Sequence, residues 1–205
     1  MQKIRYAGIT GIILFWLMVI INGYIYPGYS HFSQFISELG AMEAPLAFLI
    51  NYAGIIPFGI GIFLHSLYTF KYGPLNKSRF TTLICLAVSG LLFVVAGLYN
   101  CDVRCSFEDI STEGIIHNIS AMFAFLLAVF AMISFGVGII FEKLKPNRNI
   151  LFNLLSVIAI ILFLIIAFEG IDSSLRGVYQ RAFLINFSIW IIISTYRKTE
   201  VISNN

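Results

Sequence analysis

Charge is what this chain has least of. Only 13 of its 205 residues are Lys or Arg and 10 are Asp or Glu, so charged side chains make up 11% of it and hydrophobic ones 59%. Mean hydropathy is +0.90. A water-soluble domain with that balance would expose extensive apolar surface, so lipid is the expected solvent. The net charge of +3 is spread over several loops and makes no nucleic-acid footprint. No P-loop, G-x-G-x-x-G, H-E-x-x-H or C-x-x-C-H motif occurs, which removes the common nucleotide, zinc-protease and haem-attachment signatures. A small-residue cleavage site is also missing behind the first apolar stretch, where Asn22, Gly23, Tyr24 and Pro27 follow, so that stretch is read as a retained helix. Internal duplication is not evident, which weakens an inverted-repeat transporter.

What is present is apolar and periodic in length. Runs over about 6–26, 46–70, 80–99, 115–141, 150–168 and 177–196 are each long enough to cross a hydrocarbon core about 30 Å thick. Each must be helical, because an open backbone finds no partner in lipid. The expected fold is therefore all-α, one polytopic bundle of six transmembrane helices over residues 1–205. With both termini cytoplasmic, the inner segments hold Lys3, Arg5, Lys71, Lys77, Arg79, Lys143, Lys145, Arg148, Arg197 and Lys198, and the outer ones hold only Arg104, Arg176 and Arg181. That asymmetry sets the orientation expected for a bacterial inner-membrane protein. Most acids fall on the outer side: Glu38, Glu43, Asp102, Glu108, Asp109, Glu113, Glu169 and Asp172, against Glu142 and Glu200 inside. Gly54, Pro57, Gly59 and Gly61 predict a kink and close helix contact in the second span.

Polar residues collect at the outer side in four places. In the first outer loop, Phe32, Phe35, Ile36 and Leu39 mark one apolar face of a short interfacial helix that Ser30 caps and Gly40 ends. Its other side presents His31, Gln34 and Glu38, with Ser33 and Ser37 beside them. This side either faces water or folds into the bundle mouth. The second group is Asn100, Cys101, Asp102, Arg104 and Cys105. The third is His117, bonded to a neighbouring helix or active in its own right. The fourth is Glu169, Asp172, Arg176, Gln180 and Arg181. Cys101 and Cys105 are expected to pair, since an exterior compartment permits it. A metal held by Cys101, Asp102, Cys105 and His117 is the lesser reading, because C-x-x-x-C is not a zinc knuckle. Cys85 reads as a packing thiol.

Several of these residues resemble a known family. The run Y-P-G-Y-S-H-F-S-Q-F-I-S-E-L-G-A (26–41), then N-C-D-V-R-C (100–105) and His117 entering the next span are similar to the prokaryotic domain-of-unknown-function 998 family. The resemblance covers nearly the whole chain. Where that family's pattern reads F-P-C-D-x-G-C-P, this chain has Tyr99, Asn100, Arg104 and Ser106 in place of Phe, Pro, Gly and Pro. The six-span layout and I-S-E-L-G-A are more distantly similar to the DRAM and Sfk superfamily, which includes a factor implicated in remodelling glycosylphosphatidylinositol lipids. The resemblance carries no settled activity. Alkaline-ceramidase-type hydrolases bind zinc through three histidines. Here His65 lies toward the other end from His31 and His117, which counts against that chemistry.

Six short helices enclose little space, so the four groups are expected to meet in one outward pocket. Glu38, Asp102, His117, Gln180, Arg181, Gln34 and His31 would there contact a membrane lipid head group, with Arg181 on a phosphate. The alternatives are a lipid hydrolase or transferase using Ser37, His117 and Asp102, and a small proton-coupled transporter titrating Glu38 or Glu169. No cofactor or nucleic acid is called for by the sequence.

Overall fold

Every long apolar segment is helical, as the lipid-solvent argument requires. The structure is a computed structural model that describes residues 2–72, 76–105, 110–141, 146–169 and 174–196. Glu108, Asp109, Glu142, Lys143, Lys145, Asp172, Arg197, Lys198 and Glu200 lie outside the described residues, as do the side chains of Lys3, Arg148 and Glu169. The helices are α1 (Ala7–Ile25), α2 (Ala47–Ile50), α3 (Ile56–Tyr72), α4 (Lys77–Leu98), α5 (Thr112–Phe141), α6 (Pro146–Glu169) and α7 (Arg176–Tyr196). A π-helical turn, Asn51–Ile55, joins α2 and α3 into one span. Six spans are long and apolar enough to cross a membrane: Ile4–Ile25, Ala47–Lys71, Lys77–Leu98, Thr112–Ile140, Ile150–Phe168 and Arg176–Tyr196.

The π turn has a local cause. Pro57 lacks the N–H that would bond the Ala53 carbonyl, so the turn before it widens rather than closing regularly. Just beyond, Gly59 and Gly61 let α3 approach its neighbours at backbone distance. A Cβ on Gly59 would meet the amide nitrogen of Val94 at 2.8 Å, and one on Gly61 would meet the Ala7 carbonyl at 2.7 Å. The close contact expected of this span is thus present, and the irregularity before Pro57 takes the form of a π turn.

Neighbours in sequence are neighbours in space. α1 packs on α3, α3 on α4, α4 on α5, α5 on α6 and α6 on α7, and α7 returns to α1. The ring is filled by aromatic side chains: Phe15 stacks on Phe58 at 4.7 Å, Phe58 meets Phe93 at 5.2 Å, and Phe125 meets Phe183 at 4.7 Å. Ile13, Leu17 and Ile20 of α1 are exposed, which suits a lipid-facing stripe. Hydroxyls and amides tie helices together inside, as in Ser89 to the Ala124 carbonyl (2.8 Å) and Asn186 to the Leu155 carbonyl (3.0 Å). His65 is one of these ties, 3.0 Å from the Ser194 hydroxyl and buried. It plays no part in the polar end.

That polar end is where the α1–α2 connection, the residues after α4 and the start of α7 lie. The first of them differs from the continuous interfacial helix expected between Ser30 and Gly40. Pro27 and Gly28 make a tight turn, with Gly28 at φ +78, and the Tyr29 amide bonds the Tyr26 carbonyl at 3.2 Å. Ser30 caps a single turn, its hydroxyl accepting from the Phe32 and Ser33 amides at 3.3 Å each. Phe35 is then extended (φ −64, ψ 153), and a 3-10 helix runs over Ile36–Gly40. The break turns both faces inward: Ile36 and Leu39 are buried, and so is Glu38.

Candidate functional site

Glu38 is only 2% exposed, and three donors hold it. The Phe35 amide reaches its Oε1 at 2.8 Å, the reach-back of a capping residue on its own short helix. Gln34 Nε2 donates to Oε2 at 2.9 Å. Arg176 Nη2 pairs with Oε1 at 3.2 Å, while its Nε donates to the Ser33 carbonyl at 2.8 Å and its guanidinium lies 5.0 Å from the Phe35 ring centroid. The first turn of α7 is thereby bound to the first connection. Gln180 Oε1 accepts from the Ile36 amide at 2.6 Å, and the Val178 amide donates to the Phe32 carbonyl at 3.2 Å.

Arg181 is held differently. Its Nη1 donates to the carbonyls of Gln34 and Gly177, both at 2.9 Å, and its Nη2 donates to the Tyr29 hydroxyl. All three acceptors are neutral. Its Nε is buried and has no hydrogen-bond partner. Among the described residues, two guanidiniums therefore face one carboxylate. Burial pushes the Tyr29 phenol up to about 12, against the opposing pull of Arg181, so it stays a neutral donor to the Phe35 carbonyl at 2.9 Å. His31 is exposed beside this group, its ring edge-on to Tyr29 at 5.2 Å. Partial burial first, and then the Arg181 charge, lower its pKa below the ordinary histidine value.

The other side of the Ile36–Gly40 turn faces sulfur and imidazole. Cys101 and Cys105 form a disulfide with Cα atoms 5.2 Å apart, and Ala41 and Phe35 pack on it. The Ser37 hydroxyl sits 3.2 Å from Cys105 Sγ. His117, one turn into α5, brings its ring to the end of α4, where Nδ1 donates to the carbonyls of Ala96 (2.7 Å) and Tyr99 (3.0 Å). Cys101, Cys105 and His117 are all buried, with one ligand-type atom from each within 4.8 Å of the others.

Asp102 belongs to neither group. Its Oδ1 and Oδ2 accept from the Ser111 hydroxyl (2.7 Å) and amide (2.9 Å), and Ser111 in turn caps α5 through the Gly114 amide at 3.0 Å. The carboxylate thus staples the α4–α5 connection to the start of α5. The links of a Ser37–His117–Asp102 triad are not made: the serine touches sulfur, the histidine's Nδ1 is on backbone carbonyls and the aspartate is on Ser111.

The four polar segments do converge, but into two closed clusters with the Ile36–Gly40 turn between them. Sequence reasoning missed Arg176 as Glu38's partner and two asparagines, Asn51 and Asn22. Asn51 Nδ2 bridges the Gly40 carbonyl (3.1 Å) and Asn100 Oδ1 (2.9 Å), tying the first two connections together. Asn22 Oδ1 is buried without a partner, beside a crevice between Tyr26, Leu39 and Pro45. The signal was present for Asn22 and Asn51: each is an amide inside an apolar span, where polar groups are costly and functional by default.

The chain matches, over residues 9–197, the model of a family described as protein of unknown function (DUF998). The chain belongs to the DUF998 family. No curated protein and no solved structure matches it. One departure from the DUF998 pattern now has a physical reading. Arg104 stands where the pattern has glycine, and it adopts φ 58, a left-handed conformation that costs a residue with a Cβ about 1–2 kcal/mol. Arg104→Gly is therefore expected to stabilise the protein by about 0.5–1 kcal/mol after the unfolded-state entropy of glycine is subtracted, seen as a raised Tm in detergent.

Proposed function

We propose that this protein is an outward-facing receptor for the anionic head group of a membrane lipid, with Arg181 as the group that meets the phosphate. The single observation that carries the reading is that, among the described residues, Arg181 has no acidic partner. Glu38 is spent on Arg176, while Arg181 has only neutral acceptors and a buried Nε without any. A partly buried guanidinium on neutral partners is the arrangement that gains most from an anion, because charge-assisted hydrogen bonds are about twice as strong as neutral ones. Tyr29, at the head of the first connection, would move aside as a phosphate oxygen takes its place. Position supports a lipid over a soluble anion, since Arg181 lies within the first two turns of a spanning helix, at head-group depth. The orientation that puts this end outside rests on the ten-to-three basic asymmetry of the loops.

Native mass spectrometry of the detergent-purified protein tests this. Wild type is expected to retain phosphate-bearing lipid, and Arg181→Ala is expected to lose it with the helical content unchanged. Equal lipid retention by the two proteins would refute the reading. With the links among Ser37, His117 and Asp102 unmade, the enzyme alternative has no activated nucleophile in this arrangement, which favours lipid binding.

A further inference from the structure

The sulfur–imidazole cluster lies apart from Arg181 and makes a separate argument. The geometry points to a metal site that exists only in the dithiol state: with the disulfide reduced, Cys101, Cys105 and His117 bind one soft divalent cation of the Zn²⁺ class.

Three observations converge on this. The three side chains are 0%, 7% and 4% exposed, and their ligand-type atoms already lie within 4.8 Å of one another. A tetrahedral zinc site with bonds of about 2.0–2.3 Å sets its ligands roughly 3.3–3.8 Å apart, so the histidine nitrogen nearest the sulfurs has at most about 1–1.5 Å to close while the sulfurs separate. Second, His117 is prepared as a ligand. Carbonyls only accept, so Nδ1 carries the ring proton toward Ala96 and Tyr99, and the Nε2 lone pair is the basic one. Third, the connection does not depend on the disulfide for its place. Asp102 is bound to Ser111, the Cys105 amide bonds the Asp102 carbonyl at 2.8 Å, and the Met42 amide bonds the Cys101 carbonyl at 3.2 Å. Breaking the S–S bond leaves these in force.

The chemistry balances with a protein dithiol as reductant. Its two thiols give two electrons and two protons to Cys101–Cys105, whose S–S bond breaks to two thiols while the donor closes its own disulfide. Zn²⁺ then displaces both thiol protons, and two thiolates with a neutral imidazole cancel the cation's charge. A neutral complex is the form a buried site accepts at least cost. The Ser37 hydroxyl, 3.2 Å from Cys105 Sγ, stands where a fourth ligand or the partner of a bound water would sit. In the oxidised state both sulfurs are spent on each other, so the site switches with redox state.

The test uses full-length protein in detergent, reduced with a phosphine that is then removed without air, and titrated with Co²⁺ as the optical probe. Reduced wild type is expected to take up one Co²⁺ per chain with a thiolate-to-cobalt charge-transfer band that Zn²⁺ abolishes. Oxidised wild type and the Cys101→Ser/Cys105→Ser double variant show no band, and His117→Gln binds about tenfold more weakly or worse. A reduced wild type with no more band than the double variant would overturn the proposal. So would a reduced protein that unfolds and does not regain its helical circular dichroism on adding Zn²⁺. Anionic lipid retention is a separate readout, so either site can fail without the other.

Discussion

Glu38→Ala is expected to lower the stability of the fold by about 3–5 kcal/mol, the cost of removing one half of a buried ion pair. Arg176 would keep its Ser33 carbonyl but lose the carboxylate, and the Phe35 amide and Gln34 Nε2 would lose their acceptor. Glu38→Gln keeps an oxygen for one of these donors and costs less. The double replacement Glu38→Leu with Arg176→Met removes both charges and should cost less than Glu38→Ala alone, since the penalty lies in the orphaned partner more than in the missing attraction. Reversible unfolding in mixed micelles, read by circular dichroism, gives all three numbers. A Glu38→Ala protein within 1 kcal/mol of wild type, roughly the scale of an exposed pair, would show that the carboxylate is open to water.

Gly177→Val has the second large effect, and it acts through backbone contact alone. Gly177 starts α7 against the first connection, where a Cβ would run into the carbonyls of Gln34 and His31 and lie 2.8 Å from Arg181 Nη1. Carbonyl oxygens cannot rotate away as a flexible side chain can. The connection must therefore shift, breaking the Val178–Phe32 and Ile36–Gln180 bonds and the Arg181 contact to Gln34. Overpacking of this kind costs about 1–3 kcal/mol, with the lost hydrogen bonds added. Hydrogen exchange localises it: the Ile36 and Val178 amides should exchange markedly faster in the variant while amides in the middle of α5 keep their protection. Unchanged exchange at those two amides would show that the segment is not seated on α7.

Much of this was legible in the sequence. Six spans follow from hydropathy and length, because lipid leaves the backbone no alternative to helix. The gathering of four polar segments at one end was legible too, because short loops leave them nowhere else to go. Which groups pair was not. Glu38 takes Arg176 because the chain breaks at Phe35 and the following turn rotates Glu38 inward, a backbone event that the helical spacing of Phe32, Phe35, Ile36 and Leu39 conceals. The same spacing left open whether the polar side faces water or folds into the bundle mouth, and Gln34 and Glu38 face α7. Asp102 looked chemical and is a staple, since its partner Ser111 announces itself only as a helix cap.

Among the described residues Arg181 has no acidic partner, and on the proposed function an anionic head group would supply one. Titration of delipidated protein with phosphatidylglycerol, and in parallel with diacylglycerol that shares its tails but lacks the phosphate, tests this most directly. Wild type should bind the phospholipid and not the diacylglycerol, and Arg181→Ala should lose about tenfold or more in affinity. Equal affinity of wild type and Arg181→Ala for phosphatidylglycerol would contradict it.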